Sequence, residues 1–176
     1  ANDEEYPQQP VVVARLEGQT ISPGTVRYLD RALREAGERD AECLIVVLDT
    51  PGGLLDSTRH VVKRFLASEV PVIVYVAPSG SRAASAGVFV TMSGHVAAMA
   101  PGTTIGAAHP VQVGGLPTQP QPTSPLESPT DESESSARDE ASGQARSPRE
   151  EKTVNDTVAW ARALAERRGR NADWAA

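Results

Sequence analysis

"CLIVVLDTPGG", residues 43–53, decides the fold. It opens on a continuous apolar run that is short and rich in β-branched residues. Those features favour a strand buried in a parallel sheet over a helix segment. "PGG" then stops the run. Two glycines after a buried strand let the backbone turn sharply and leave N–H groups uncovered. Downstream, Leu54 to Ala67 takes up a helical pattern through Leu55, Thr58, Val62 and Phe65, and "VPVIVYV", residues 70–76, is the next buried strand. Upstream, "VVVARLEG", residues 11–18, reads as a strand. "SPGTVRYLDRALREAGERD" follows as a helix, with Ser22 as N-cap and Pro23 at the first helical position. Val26, Leu29, Leu33 and Ala36 give that helix one apolar face. The small-residue stretch from Ala83 to Met92 is expected to be a helix, "HVAAMA" a short strand and "PGTTIGAAHPV" a loop. Alternating strands and helices predict an α/β layer fold, with functional groups at the carboxyl ends of parallel strands. "DTPGG" and "PSGSRAAS" both fall there.

A chain of 176 residues suffices for one domain with a sizeable core, and its net charge of −6 without a long basic run argues against nucleic acid as a partner. A single cysteine, Cys43, forms no internal disulfide and leaves the redox compartment open. No stretch approaches the roughly 20 apolar residues of a membrane-spanning helix. Residues 1–10, "ANDEEYPQQP", read as a flexible arm, either a mature N-terminus after signal removal or an arbitrary boundary. Residues 116–150 are rich in Pro, Ser, Thr, Gln, Asp and Glu and are expected to be disordered or a mobile surface insertion. The domain then comprises residues 11–115 and 151–176. After the insertion Lys152 starts a returning helix, with Val154, Val158, Ala161 and Leu164 or Ala165 on one face and an end near Gly169.

Ser85, inside "AASAG", is either tolerated packing or a nucleophile kept approachable by small neighbours. The glycine pair is most simply a turn. Read as chemistry, its N–H groups could hold a developing oxyanion, with the N–H of Ala86 as the second donor after the nucleophile. For a base, His60, His95 and His109 have no acidic neighbour in sequence that suggests a triad. Their plainer places are surface, strand edge and loop. Lys63 sits mid-helix beside Arg64 on a solvated face. Lys152 serves as a general base only if its surroundings favour the neutral amine. Otherwise it is a solvated helix-start lysine.

"LDTPGGLLDS", "SRAASAGVFVTMSGHVAAMAPGTTIGAAHPV" and "EKTVNDTVAWARALAERRGRN" together resemble the membrane-bound ClpP-class serine proteases of the NfeD family, relatives of signal peptide peptidase A. The resemblance runs from about Val11 to Asn171, outside the insertion. It implies a ClpP/crotonase-like α/β spiral of ββα units and a Ser-Lys dyad formed by Ser85 and Lys152. It places the oxyanion donors at Gly53 and Ala86, with Gly52 and Ala84 beside the bound peptide. It implies no metal or organic cofactor. Substrates would be apolar peptide segments, including parts of stomatin-like membrane proteins. The domain would lie outside the cytoplasm, anchored by later membrane segments, and form a homo-dimer or larger homo-oligomer. Against the family pattern the insertion is long, which loop-closure entropy tolerates, and the C-terminal end reads as truncated. Two other classes remain: a crotonase-type acyl thioester enzyme, for which no acidic catalytic positions are evident, and a scaffold that binds peptide or a stomatin-like partner without cutting it.

Overall fold

The computed structural model describes residues 9–106 and 148–175. Its main sheet has four parallel strands in the order β1 (Val11–Leu16), β2 (Cys43–Leu48), β3 (Val72–Val76) and β5 (Val96–Met99). The crossovers carry the helices α1 (Pro23–Glu38), α2 (Leu55–Leu66) and α3 (Ala86–Ser93), and α4 (Pro148–Arg167) follows the undescribed segment. A second, two-stranded parallel sheet joins β4 (Arg82–Ala84) to β6 (Thr104–Gly106). Isolated parallel bridges, Ile21 with Gly53 and Thr50 with Ala83, continue this pattern. Each unit is therefore a long strand, a short extended piece and a helix. This is a ββα repeat in which the first two short pieces have shrunk to single bridges.

The periodicities explain most of the packing. Val12, Ala14 and Leu16 alternate inward along β1, while Val11 and Val13 point out at 45% and 47% exposure. Leu44, Val46 and Leu48 of β2 and Val72, Val74 and Val76 of β3 share the inner face with Leu29, Leu33 and Ala36 of α1, Val61 and Phe65 of α2 and Val90 of α3. Phe65 is wholly buried, and truncating it to alanine costs about 3–5 kcal/mol by the usual cavity arithmetic. Ser22 caps α1 as expected, with the Thr25 N–H donating to its Oγ at 3.4 Å and Pro23 at the first turn. All eight residues of α3 are buried, as an apolar helix without a polar face requires.

Three expectations are corrected. The helix foreseen from Ala83 starts at Ala86, because Ala83 and Ala84 pair with Ile105 and Gly106 in β4 and β6. The loop foreseen at "PGTTIGAAHPV" contains β6, and its residues from 107 onward lie outside those described. Strands of three residues carry no periodicity of their own and exist through pairing with distant chain. The last helix starts at Pro148, inside the stretch assigned to the insertion, with proline at its first position, where the missing N–H costs nothing. Lys152 thus sits a full turn into α4 rather than at its start. The remainder of the insertion, 116–147, and the arm, 1–8, lie outside the described residues.

The end of α4 agrees with the reading at Gly169. That residue takes φ 63°, and the Gly169 and Arg170 N–H groups donate to the carbonyls of Glu166 (3.1 Å) and Ala165 (2.7 Å). This is a glycine-terminated Schellman closure. Arg168 and Arg170 then reach across to the carbonyls ending α2 and α3. Arg168 donates to Ser93 O (2.9 Å) and Phe65 O (3.0 Å), and Arg170 donates to Met92 O and to Gly94 O (3.0 Å). Cations placed on the orphan carbonyls of helix C-termini also complement the helix dipoles. Among the described residues, no helix is long and apolar enough to cross a membrane.

Candidate active site

Ser85 lies where β4 ends and α3 begins. It has φ 51° and ψ −112°, a conformation that side-chain-bearing residues adopt only under strain of about 1–3 kcal/mol. Its backbone is pinned on both sides: the Ser85 N–H donates to Gly106 O (3.1 Å), and Ser85 O accepts from the Val88 N–H (3.0 Å). Its hydroxyl makes no capping bond to the helix it precedes, although serine is a favoured N-cap, and the residue is half-buried. A strained strand-to-helix turn that frees the hydroxyl is the geometry of a nucleophile elbow.

The turn after β2 closes against this serine. Gly52 has φ 127°, and a Cβ built on it would stand 2.9 Å from Ser85 Cβ and 3.3 Å from Ser85 Oγ, so only glycine fits. At Gly53 a Cβ would stand 2.6 Å from both the backbone N and the Cβ of Ile21, so the two segments meet there with no room for a side chain on residue 53. The bridge at that point is made by Gly52 O, which accepts from the Ile21 N–H (2.8 Å), and by the Leu54 N–H, which donates to Ile21 O (2.9 Å). In such a parallel bridge the central residue's own N–H points away from the partner. The Gly53 N–H therefore faces outward on an exposed residue, with no acceptor among the described residues. The Ala86 N–H at the start of α3 likewise has none among them, as expected for the first turn of a helix.

Thr50 holds these parts together, and the sequence reading missed it. It is wholly buried; its Oγ1 accepts from the Gly52 N–H (3.1 Å) and its hydroxyl donates to Gly52 O (3.1 Å). Its main chain pairs with β4, taking Arg82 O (2.8 Å) and the Ala84 N–H (3.1 Å). Asp49 adds a carboxylate that accepts from the Arg82 N–H at 3.0 Å. The signal was present: a threonine two residues before the first glycine of a turn is placed to bond that residue's N–H.

The structure brings Gly52, Ala84, Ser85 and Ala86 together, with Gly53 next to Gly52. Lys152 is exposed, and no described hydrogen bond or ion pair joins it to Ser85. The other bases considered fall elsewhere. His60 Nε2 lies 3.1 Å from Asp30 Oδ2 on the exposed surface between α1 and α2, an acidic neighbour that sequence distance concealed. His95 Nδ1 accepts from the Val72 N–H (3.1 Å). Burial, then the nearby Arg168 and Arg170, pull its pKa below the ordinary 6.5, which favours the neutral ring that this bond requires. His109 lies outside the described residues. Burial and the neighbouring Glu42 push the Cys43 thiol up, so it is a poor nucleophile. Among the described residues, no group of three or more His, Cys, Asp or Glu side chains could hold a metal ion.

Comparison with known proteins places this geometry. The chain is 46% identical over 101 residues to the membrane-bound protease PH1510 of Pyrococcus horikoshii, a match covering 57% of this chain and 23% of that protein. It is 35% identical over 101 residues to the membrane protein NfeD1b of Bacillus subtilis, covering 57% and 22%. It thus spans less than a quarter of the length of these curated relatives. Among solved structures, a serine-to-alanine variant of the 1510-N membrane-bound stomatin-specific protease superposes with a TM-score of 0.72 at 34% identity, covering 97% of this chain and 69% of that one. A lysine-to-alanine variant of the same protease, in complex with a substrate peptide, gives 0.71 at 35% identity, covering 97% and 65%. A variant of ClpP1 from Listeria monocytogenes gives 0.56 at 12% identity, covering 93% and 76%, which shows the shared fold alone. The ClpP-like α/β fold expected from the sequence is the fold observed. Residues 11–149 match the family described as the N-terminal domain of NfeD1b, and the chain belongs to that family.

Proposed function

We propose that this domain is a serine endopeptidase in which Ser85 is the nucleophile and Lys152 the general base. The observation that carries the reading is the strained turn at Ser85: a non-glycine residue at φ 51° whose hydroxyl makes no capping bond to α3, closed over by Gly52. Lys152, as the free amine, takes the Ser85 proton while Oγ attacks the scissile carbonyl. The N–H groups of Gly53 and Ala86 stabilise the oxyanion, the acyl-enzyme forms, and the leaving amine takes its proton from Lys152. Water then releases the acyl group by the reverse path. The relatives support the assignment, since the 1510-N structures are of a protease, in serine-to-alanine and lysine-to-alanine variants.

Apolar peptide segments are the proposed substrates. Leu54 and Leu55 directly follow the Gly53 amide and are 51% and 44% exposed, so the chain offers apolar surface where a substrate would lie. By analogy with the stomatin-specific relative, the partner is a stomatin-like membrane protein. The full-length protein is proposed to be membrane-anchored with this domain outside the cytoplasm, and to act as a homo-dimer or larger homo-oligomer.

One observation favours a second reading, a peptide-binding scaffold: Lys152 is exposed and unbonded to Ser85 among the described residues. Catalytic contacts often tighten only when substrate binds. The deciding experiment is cleavage of an apolar peptide library by wild type, Ser85→Ala and Lys152→Ala, alongside labelling by a serine-reactive probe. Cleavage lost in both variants, with Ser85 labelled in wild type, supports the protease. Peptide binding without cleavage or labelling supports the scaffold.

A further inference from the structure

The helix that carries Lys152 is gripped one turn further on. Asp156, four residues along α4 and so on the same side as Lys152, forms an ion pair with Arg59 of α2, Nη2 to Oδ2, at 2.8 Å. The same guanidinium stands over the ring of Trp160, 4.9 Å from its centroid and one further turn along. Trp160 stacks on Phe89 of α3, with centroids 4.2 Å apart and planes 10° from parallel. Phe89 lies four residues beyond Ser85. A continuous set of contacts thus runs from the serine's helix, through Phe89, Trp160 and Arg59, to the turn of α4 next to the lysine. The buried residues of α4, Ala161, Leu164 and Ala165, all lie beyond this point, packed on Val88, Phe89 and Met92. In the half that bears Lys152, Lys152, Asn155 and Asp156 are exposed, while Thr153, Val154, Thr157 and Val158 are only partly buried.

We infer that Arg59 is a positioning residue for the dyad: by holding Asp156 and lying on Trp160 it sets the rotation of the first half of α4 and so presents Lys152 to Ser85. This rests on the protease reading above. Arg59 has a second effect through charge. Asp156 is spaced to pair with Lys152 itself along the helix, and a carboxylate on the amine would favour the ammonium form that cannot act as base. Arg59 occupies that carboxylate. Among the described side chains, the other charged or titratable groups facing this region are Asp56, His60 and Lys63 of α2, which line with Arg59 and Trp160 a cavity of about 470 Å³, and Glu151 of α4. Unlike these, Asp156 is both held by Arg59 and spaced one turn from the lysine.

The test is steady-state cleavage of an apolar peptide across pH by wild type, Arg59→Ala, Arg59→Lys and the double variant Arg59→Ala/Asp156→Asn, with Ser85→Ala as control. For Arg59→Ala the expectation is a fall in kcat on the order of tenfold with KM little changed, because a misplaced base spares binding. The acid limb of the profile is expected to move to higher pH, because the freed Asp156 carboxylate can then pair with the lysine along the helix. Arg59→Lys keeps the charge on Asp156 and leaves the acid limb in place. The double variant removes the competing carboxylate and returns the limb to the wild-type position while kcat stays low. If Ser85→Ala abolishes cleavage but Arg59→Ala retains wild-type kcat and pH profile, the inference on Arg59 is overturned and the protease reading stands. Cleavage that survives Ser85→Ala overturns both.

Discussion

Replacing Ser85 by glycine should stabilise the domain while removing the proposed nucleophile. The backbone there, φ 51° and ψ −112°, is one that glycine adopts freely and serine does not. Relieving it returns about 1–3 kcal/mol. Against that, glycine's greater freedom in the unfolded chain costs about 0.5–1 kcal/mol. The net gain is therefore between about 0 and 2.5 kcal/mol, a rise in Tm of up to several degrees at roughly 2–4 °C per kcal/mol for a domain of this size. No capping bond is forfeited, because the hydroxyl does not cap α3. Ser85→Ala keeps the Cβ and hence the strain, so its stability should stay within about 0.5 kcal/mol of wild type. The assay is urea unfolding of the three proteins, followed by intrinsic fluorescence and circular dichroism, with coincident transitions as the check on two-state behaviour. The order expected is glycine above alanine, with alanine near serine, and peptide cleavage absent from both variants. If Ser85→Gly proves less stable than Ser85→Ala, the turn is not strained in the way described and the argument for a functional serine there loses its physical basis.

Thr50→Val, nearly isosteric, leaves the buried Gly52 N–H without its acceptor and should cost about 1–3 kcal/mol in urea unfolding; it should also lower kcat by loosening the adjacent Gly53 amide. Gly52→Ala places a methyl group against Ser85 at a φ of 127°, and should abolish labelling by a serine-reactive probe even where circular dichroism shows a folded protein. His95 titrates below its ordinary 6.5 in the folded state, so the unfolded chain binds the extra proton first as pH falls. Its contribution to stability is fully present above about pH 6.5 and is lost as the pH drops through the lowered folded value. Thermal melts of wild type against His95→Asn across pH 4.5–7.5 should show the variant with the weaker acid dependence.

Periodic signals made the large elements legible. β2 announced itself by a run of apolar and β-branched residues, and α1 by both its apolar face and its Ser22–Pro23 start, because burial writes those patterns directly. β4 and β6 left no such mark. Three-residue strands are specified by partners about twenty positions away, and small residues such as Ala83 and Ala84 suit a helix equally well. The start of α4 was obscured differently: Pro148 follows a polar, proline-rich stretch whose composition resembles an insertion more than a helix.

Within the candidate site the same division holds, and it separates the two halves of the proposed chemistry. Ser85, Gly52, Gly53 and Ala86 are each fixed by short-range geometry: a turn after a strand, a helix start, a place where only glycine fits. Residue type and local spacing carry that information, so the turn and the helix start on which the proposed oxyanion donors sit were legible in "DTPGG" and "ASAG". Lys152 is fixed by nothing local. Its position depends on where α4 docks, and docking is set by Arg168 and Arg170 on the carbonyls ending α2 and α3, and by Trp160 on Phe89. Arginines near a helix end and a tryptophan mid-helix are common on any surface helix, so spacing alone does not identify their partners. A base delivered by a separately docked helix can also be withdrawn without disturbing the serine. Weakening the dock, as in Arg170→Ala, should therefore lower kcat for peptide cleavage while leaving the Ser85 turn intact. Unchanged exchange protection of the Ser85 and Val88 amides would show the turn preserved. Loss of that protection together with activity would mean that the two halves fold as one unit and that α4 is no independent carrier of the base.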